Sequence, residues 1–322
     1  MATPVSRRAL LKGAGWGGLA YLLAGDYAAN TVAHWNTTTR LTKYPANDPS
    51  LRGKRRAVLY FPGVLADGTI TIQPVLSQLV ARADVFAVNY DPYRFVVTDV
   101  IQSAAHQLWE AGYRDLIVFG QSCGGCVGID FARTNANQRN RFNIRLITHD
   151  APDGVDTLVP GYWAYLSYLL RPGPLLNLLS PFVFGRFPVH DLGNLGAGAD
   201  PKLVKAGEAA MHDSFLSCYV DQVRYLVGLL GLVGYQPVQP HELSSLVQAG
   251  VAMCSIGVDG DTTVGNDGLV KWVAAHRIQR ALAPAGSTIE LPEYVRMPHI
   301  DNTGYPLEVQ EGLERAFARI RL

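Results

Sequence analysis

The sequence predicts an α/β fold, a mostly parallel central sheet with helices on both faces. Three observations lead there. Short apolar runs without alternation, such as Ala57–Phe61 and Leu116–Phe119, read as strands buried on both sides. They alternate with segments whose apolar residues recur at helical spacing, the order that winds a parallel sheet. At 322 residues with 48% apolar and 17% charged content, the chain is long enough to bury a substantial core.

Taken in order, a polar connector over 34–50 precedes a strand at 57–61, a Gly/Pro turn and a helix over 70–83. A strand follows at 85–90, then a helix over 98–111 whose Val100, Ile101, Ala104, Ala105 and Leu108 share one face. The strand at 115–119 leads through a glycine-rich turn into a helix over 124–135, and a further strand is expected at 144–148. Much later come a strand at 251–256, a helix over 268–282, a strand at 288–291 and a terminal helix over 307–320.

Between the strands at 144–148 and 251–256 the alternation stops. The stretches 162–170, 175–184 and 215–233 read as apolar helices, cut by Pro172-Gly173-Pro174 and by the glycines of 193–198. About 151–249 is therefore expected as a helical insertion, or lid, over one end of the sheet, rich in aromatic side chains such as Tyr162, Trp163 and Phe182.

The formal net charge is +1 and the Lys/Arg clusters are short, as in Arg52–Arg56, so no nucleic-acid partner is expected. Four cysteines, at 123, 126, 218 and 254, permit disulfides without specifying a pairing. Cys123 and Cys126 have the spacing of a redox pair, but those positions are better used by a serine turn. No metal-ligand spacing emerges from them.

At the N-terminus, Ser6-Arg7-Arg8-Ala9-Leu10-Leu11-Lys12 precedes an uncharged, glycine-rich stretch over 13–25. This closely resembles a twin-arginine export signal, with Leu10 where phenylalanine is usual. The uncharged stretch is shorter than the roughly 20 residues a membrane-spanning helix needs. The resemblance implies residues 1–33 as the signal, with Thr31-Val32-Ala33 the best exit, the translocation machinery as a partner, and a folded protein delivered outside the cytoplasm. Membrane contact through an uncleaved signal or through the lid stays open. One domain is then expected over 51–322, with the insertion inside it.

In open α/β sheets, ligands sit at the carboxyl ends of the strands. Those positions here hold Ser122, then His149, Asp150 and Asp153, then Asp259 and Asp261, and finally His299. A serine hydroxyl needs a base to take its proton, and the base needs an acid to hold its tautomer. Ser122, Asp261 and His299 follow successive strand ends and supply all three. Ser122 is also flanked by Gly120 and Gly124, as a nucleophile on a sharp strand-to-helix turn requires.

With Gly120-Gln121-Ser122-Cys123-Gly124-Gly125, Gly260-Asp261-Thr262-Thr263-Val264 and Pro298-His299 before a last helix, the chain resembles the α/β-hydrolase fold family over about 50–322. The resemblance implies that Asp261 takes precedence over Asp259 as the acid, because it matches the family's Asp-x-x-Val position. Asp150 lies where a minority of such enzymes place that acid, and His149 is the rival base near a strand end. It further implies an oxyanion hole of two backbone N–H groups, one from Cys123 and one from Val64, with Leu65 a neighbouring candidate for the second; Leu65 and Gln121 are the candidate substrate contacts. Pro62-Gly63 stands where the family often has His-Gly.

The expected activity is that of an exported serine esterase or lipase. It would cleave a small-molecule carboxylic ester or lipid with an apolar acyl group, through an acyl-enzyme on Ser122, using no metal or organic cofactor. The rival expectation is a non-catalytic protein of the same fold that binds lipid or anchors in the envelope.

Overall fold

The computed structural model describes residues 39–52, 54–64, 66–91, 95–136, 142–151, 218, 221–222, 225, 245–258, 290, 293–295 and 306–321. The expected export signal, the insertion helices at 162–170 and 175–184, and the helix at 268–282 lie outside them.

Among the described residues, seven strands form one sheet: β1 (Arg40–Tyr44), β2 (Arg56–Phe61), β3 (Asp84–Asn89), β4 (Asp115–Gln121), β5 (Asn143–His149), β6 (Ala252–Val258) and β7 (Glu293–Val295). Their spatial order is β1-β3-β2-β4-β5-β6-β7. Every neighbouring pair is parallel except β1 with β3. The described helices are α1 (Gly68–Thr71), α2 (Gln73–Val80), α3 (Val97–Glu110), α4 (Cys123–Ala136) and α5 (Pro306–Arg319). The expected α/β class, with its mostly parallel sheet, is what the chain adopts.

Alternation along each buried strand feeds two cores. Leu59, Phe61, Val118, Leu146 and Met253 face α3 and α4 on one side, where Leu108 and Phe131 are fully buried. Val58, Tyr60, Ile117, Phe119, Ile147 and Ile256 face α2 and α5 on the other, with Leu79, Leu313 and Phe317. Each such side chain contributes about 1.5–3 kcal/mol by leaving water, which is why strands buried on both faces carry unbroken apolar runs.

The differences from expectation have local causes. The stretch 34–50, read as a connector, contains edge strand β1. Its charged Arg40 and Lys43 hide it from a search for apolar runs, yet charge is what protects a sheet edge from further pairing. Lys43 reaches back to the buried Asp84 at 3.0 Å. The helix expected over 70–83 is broken at Ile72 into α1 and α2, with Pro74 near the start of the second and Asp67 capping the first through Thr69 N–H at 2.7 Å. The last described strand is Glu293–Val295; of the strand expected at 288–291 only Glu290 is described, its N–H donating to the Met253 carbonyl of β6 at 2.8 Å. Strand β7 is a three-residue edge whose Glu293 binds Arg315 and Arg319 of α5, at 3.1 and 2.8 Å.

Between β5 and β6 no strand occurs among the described residues. The parallel register places Gln121 beside His149, His149 beside Ile256, and Ile256 beside Glu293. The carboxyl ends of β4 to β7 therefore share one rim of the sheet.

Candidate active site

Ser122 stands on that rim between the end of β4 and the start of α4, with φ of 49°. A residue with a Cβ is disfavoured in this left-handed region by about 1–3 kcal/mol, so its surroundings must hold it there. They do so through the backbone. Ser122 N–H donates to the His149 carbonyl at 2.8 Å, and the Ser122 carbonyl accepts from Gly125 N–H at 2.9 Å and Cys126 N–H at 3.4 Å.

The flanking glycines are required by space. A Cβ on Gly120 would lie 2.3 Å from the Gly124 carbonyl oxygen. One on Gly124 would lie 2.2 Å from the Phe61 carbonyl oxygen and 2.3 Å from that of Pro62. These contacts are with backbone atoms and cannot be relieved by a rotamer change. The strand, the helix and the loop after β2 thus converge on Ser122.

Below the turn lies a buried polar chain. The Tyr60 hydroxyl is 2.9 Å from Thr71 Oγ1 and donates to Gln121 Oε1, while Gln121 Nε2 lies 3.2 Å from His149 Nδ1. Because the amide nitrogen donates, Nδ1 accepts, which puts the ring proton on Nε2. Burial pushes the Tyr60 phenol well above its ordinary value, so it remains a donor. Gln121, expected as a substrate contact, is instead 1% exposed, with its amide committed to Tyr60 and His149. By alternation it points to the same face as Phe119. His149, the rival base, is also fully buried, and its carbonyl holds the Ser122 amide.

Cys123 begins α4 directly after the serine, so its N–H is one of the outward-facing donors of a helix N-terminus. Burial pushes its thiol well above the ordinary value of 9.0, which keeps the sulfur protonated and unreactive. All four cysteines are buried thiols, and none forms a disulfide. Val64 sits in a turn closed by Ala66 N–H donating to the Gly63 carbonyl at 3.3 Å. In a trans peptide the N–H points opposite its carbonyl, so this bond fixes the direction of the Val64 N–H.

Leu65, Asp259, Asp261 and His299 lie outside the described residues. The strands before them are described: β6 ends at Val258 and β7 at Val295, on the rim that carries Ser122. Asp150, directly after β5, is fully buried with φ of 52°, and its N–H donates to the Ile256 carbonyl at 2.8 Å. A carboxylate so buried is tolerated only where its surroundings offset the lost hydration.

Sequence reasoning missed the contacts of Tyr60 with Thr71 and Gln121, and of Tyr90, whose hydroxyl donates to the Pro62 carbonyl at 2.9 Å. Both tyrosines lie in or at the end of apolar runs, where an aromatic reads simply as core. Their only sequence signal is a phenol placed where a strand meets the rim.

No protein-family model matches the sequence, and no curated protein does. Solved structures do match in shape. A carboxylesterase of the ammonia-oxidizing thaumarchaeon Nitrososphaera gargenis superposes with a TM-score of 0.57 at 13% identity, over 88% of this chain and 95% of that one. A bacterial membrane phospholipase A does so with a TM-score of 0.56 at 17% identity, over 97% and 96%. An N-acyl homoserine lactonase, solved with N-butanoyl homoserine, gives 0.58 at 13% identity, over 88% and 94%. At such identities the likeness establishes the fold alone.

Proposed function

We propose that this chain, which has the α/β-hydrolase fold, is a serine hydrolase that cleaves carboxylic esters. The observation that carries the reading is Ser122 held at φ of 49° on a strand-to-helix turn whose flanking residues admit no side chain. Such strain persists where the surroundings over-determine it, and here it presents a hydroxyl at a helix N-terminus.

In the proposed reaction, Ser122 Oγ attacks the ester carbonyl carbon while its proton passes to His299, which Asp261 orients. The negative oxygen of the tetrahedral intermediate accepts hydrogen bonds from the Cys123 and Val64 N–H groups. Its collapse breaks the bond to the alcohol oxygen, which leaves with the proton from His299. Water, giving its proton to His299, then attacks the acyl-enzyme, and the carboxylic acid departs as the proton returns to Ser122. An apolar acyl group is preferred because the sequence of the insertion is rich in aromatic residues. Fold-level likeness to a phospholipase A and a carboxylesterase supports the same class. The Arg7-Arg8 leader supports action outside the cytoplasm, and Lys at both positions should leave the activity in the cytoplasmic fraction.

A second reading of the acid is favoured by one observation, the complete burial of Asp150 directly after β5, the strand paired with β4. Hydrolysis of p-nitrophenyl esters decides both points. Ser122→Ala and His299→Ala are expected to lower kcat by at least about 10⁴-fold with the fold intact. Asp261→Asn should lower it by more than about 100-fold, and Asp150→Asn by much less. Retained turnover in Ser122→Ala rejects the assignment, and the reverse order for the two aspartates transfers the acid role to Asp150.

A further inference from the structure

The loop after β2 carries Val64, the proposed second oxyanion donor, and it turns at Gly63, the residue type least able to resist a peptide flip. Two peptide planes flank that glycine, and among the described residues each accepts one hydrogen bond. Ala66 N–H holds the Gly63 carbonyl at 3.3 Å. The Tyr90 hydroxyl, just past β3, holds the Pro62 carbonyl at 2.9 Å. Among the described residues, this is the one side-chain hydrogen bond to the backbone of 62–64. The Pro62 carbonyl also lies where a Gly124 Cβ would be, 2.3 Å away, so its direction couples the loop to the elbow helix.

We infer that Tyr90 is a positioning residue for the oxyanion hole, acting through the Pro62–Gly63 peptide rather than on the substrate. The inference rests on the serine-hydrolase reading of Ser122. Tyr90 is itself braced. Its ring meets Phe95 edge-on, centroids 5.1 Å apart at 86°, and Phe95 meets Tyr225 at 5.5 Å. The Tyr225 hydroxyl donates to Asp130 on α4 at 2.8 Å. One run of three rings therefore joins the oxyanion loop to the helix that starts beside the nucleophile. Edge-on geometry is the favoured arrangement for such pairs and resists rotation of the phenol away from its acceptor. Burial raises the Tyr90 phenol well above its ordinary 10.0, so it stays protonated and remains a donor throughout the range in which an ester assay is run.

The role separates from simple packing because Tyr90→Phe deletes one oxygen and keeps the ring stack. The full-length protein is assayed with p-nitrophenyl butyrate, with active serines counted by fluorophosphonate titration. Inhibition by an aliphatic trifluoromethyl ketone, which forms a tetrahedral oxyanion adduct, is measured alongside. Tyr113→Phe is the control, since it removes a buried phenol that binds Asp84 at 2.6 Å at the opposite end of β3.

For Tyr90→Phe, kcat per titrated serine is expected to fall about tenfold with KM within twofold, and Ki for the ketone to rise by about the same factor. Tyr113→Phe should leave all three unchanged. The inference is overturned if Tyr90→Phe keeps kcat per serine within twofold, if its loss only follows the number of titratable serines, or if KM rises while kcat holds. A wild-type protein that neither labels nor turns over esters instead removes the hydrolase reading, and this inference with it.

Discussion

Ser122 adopts φ of 49° because three backbone hydrogen bonds and two bare glycine positions leave it no relaxed alternative. The strain is local, so it should be measurable as stability. Ser122→Ala and Ser122→Gly both delete the hydroxyl, but only glycine is at ease in the left-handed region. Ser122→Gly is expected to be the more stable of the two by about 1 kcal/mol, equivalent to a few degrees in Tm. Equal melting temperatures would mean that the turn stores no strain. Gln121 illustrates what a linear reading misses at this scale: its neighbour Ser122 faces the rim, while its own amide is enclosed by Tyr60 and His149 from strands far away in sequence.

At the scale of elements, α4 brings two things to the site: an N-terminus that starts directly after Ser122, where the proposed reaction develops its negative charge, and a first turn whose Cys123 is buried. Burial is also what moves the thiols of this fold. Desolvation raises Cys254 on β6 to about 12, and raises Cys123 well above its ordinary 9.0. The native state thus holds these protons where the unfolded chain has released them. The contribution of Cys254 to stability is complete below about pH 9 and is lost as pH rises toward 12, and that of Cys123 has the same sign. Unfolding in urea at pH 8 and pH 10.5 should give a lower free energy at the higher pH, and Cys254→Val should flatten the decline. A stability that rises over that interval would contradict the assignment of these thiols to the interior.

For the whole molecule, the interior of the sheet was legible because β2 to β6 are buried on both faces, which forces runs such as Val58–Phe61 and Leu116–Phe119 into the sequence. The edges were not. β1 is half polar and β7 is three residues long, since an edge strand needs only one partner and is safer when charged. The serine turn was legible from spacing alone, because the contacts that exclude a Cβ at Gly120 and Gly124 are imposed by any strand and helix meeting so closely. Tyr90 was not, because its partner is a carbonyl 28 residues away and only the fold brings them together.

The central claim, that Ser122 is the nucleophile, is tested most directly by reacting the purified full-length protein with a fluorophosphonate probe and mapping the modified peptide by mass spectrometry. A single adduct on Ser122 is predicted, formed in step with loss of esterase activity and absent after denaturation. A folded protein that hydrolyses esters but carries the adduct on another residue, or carries none, would contradict it.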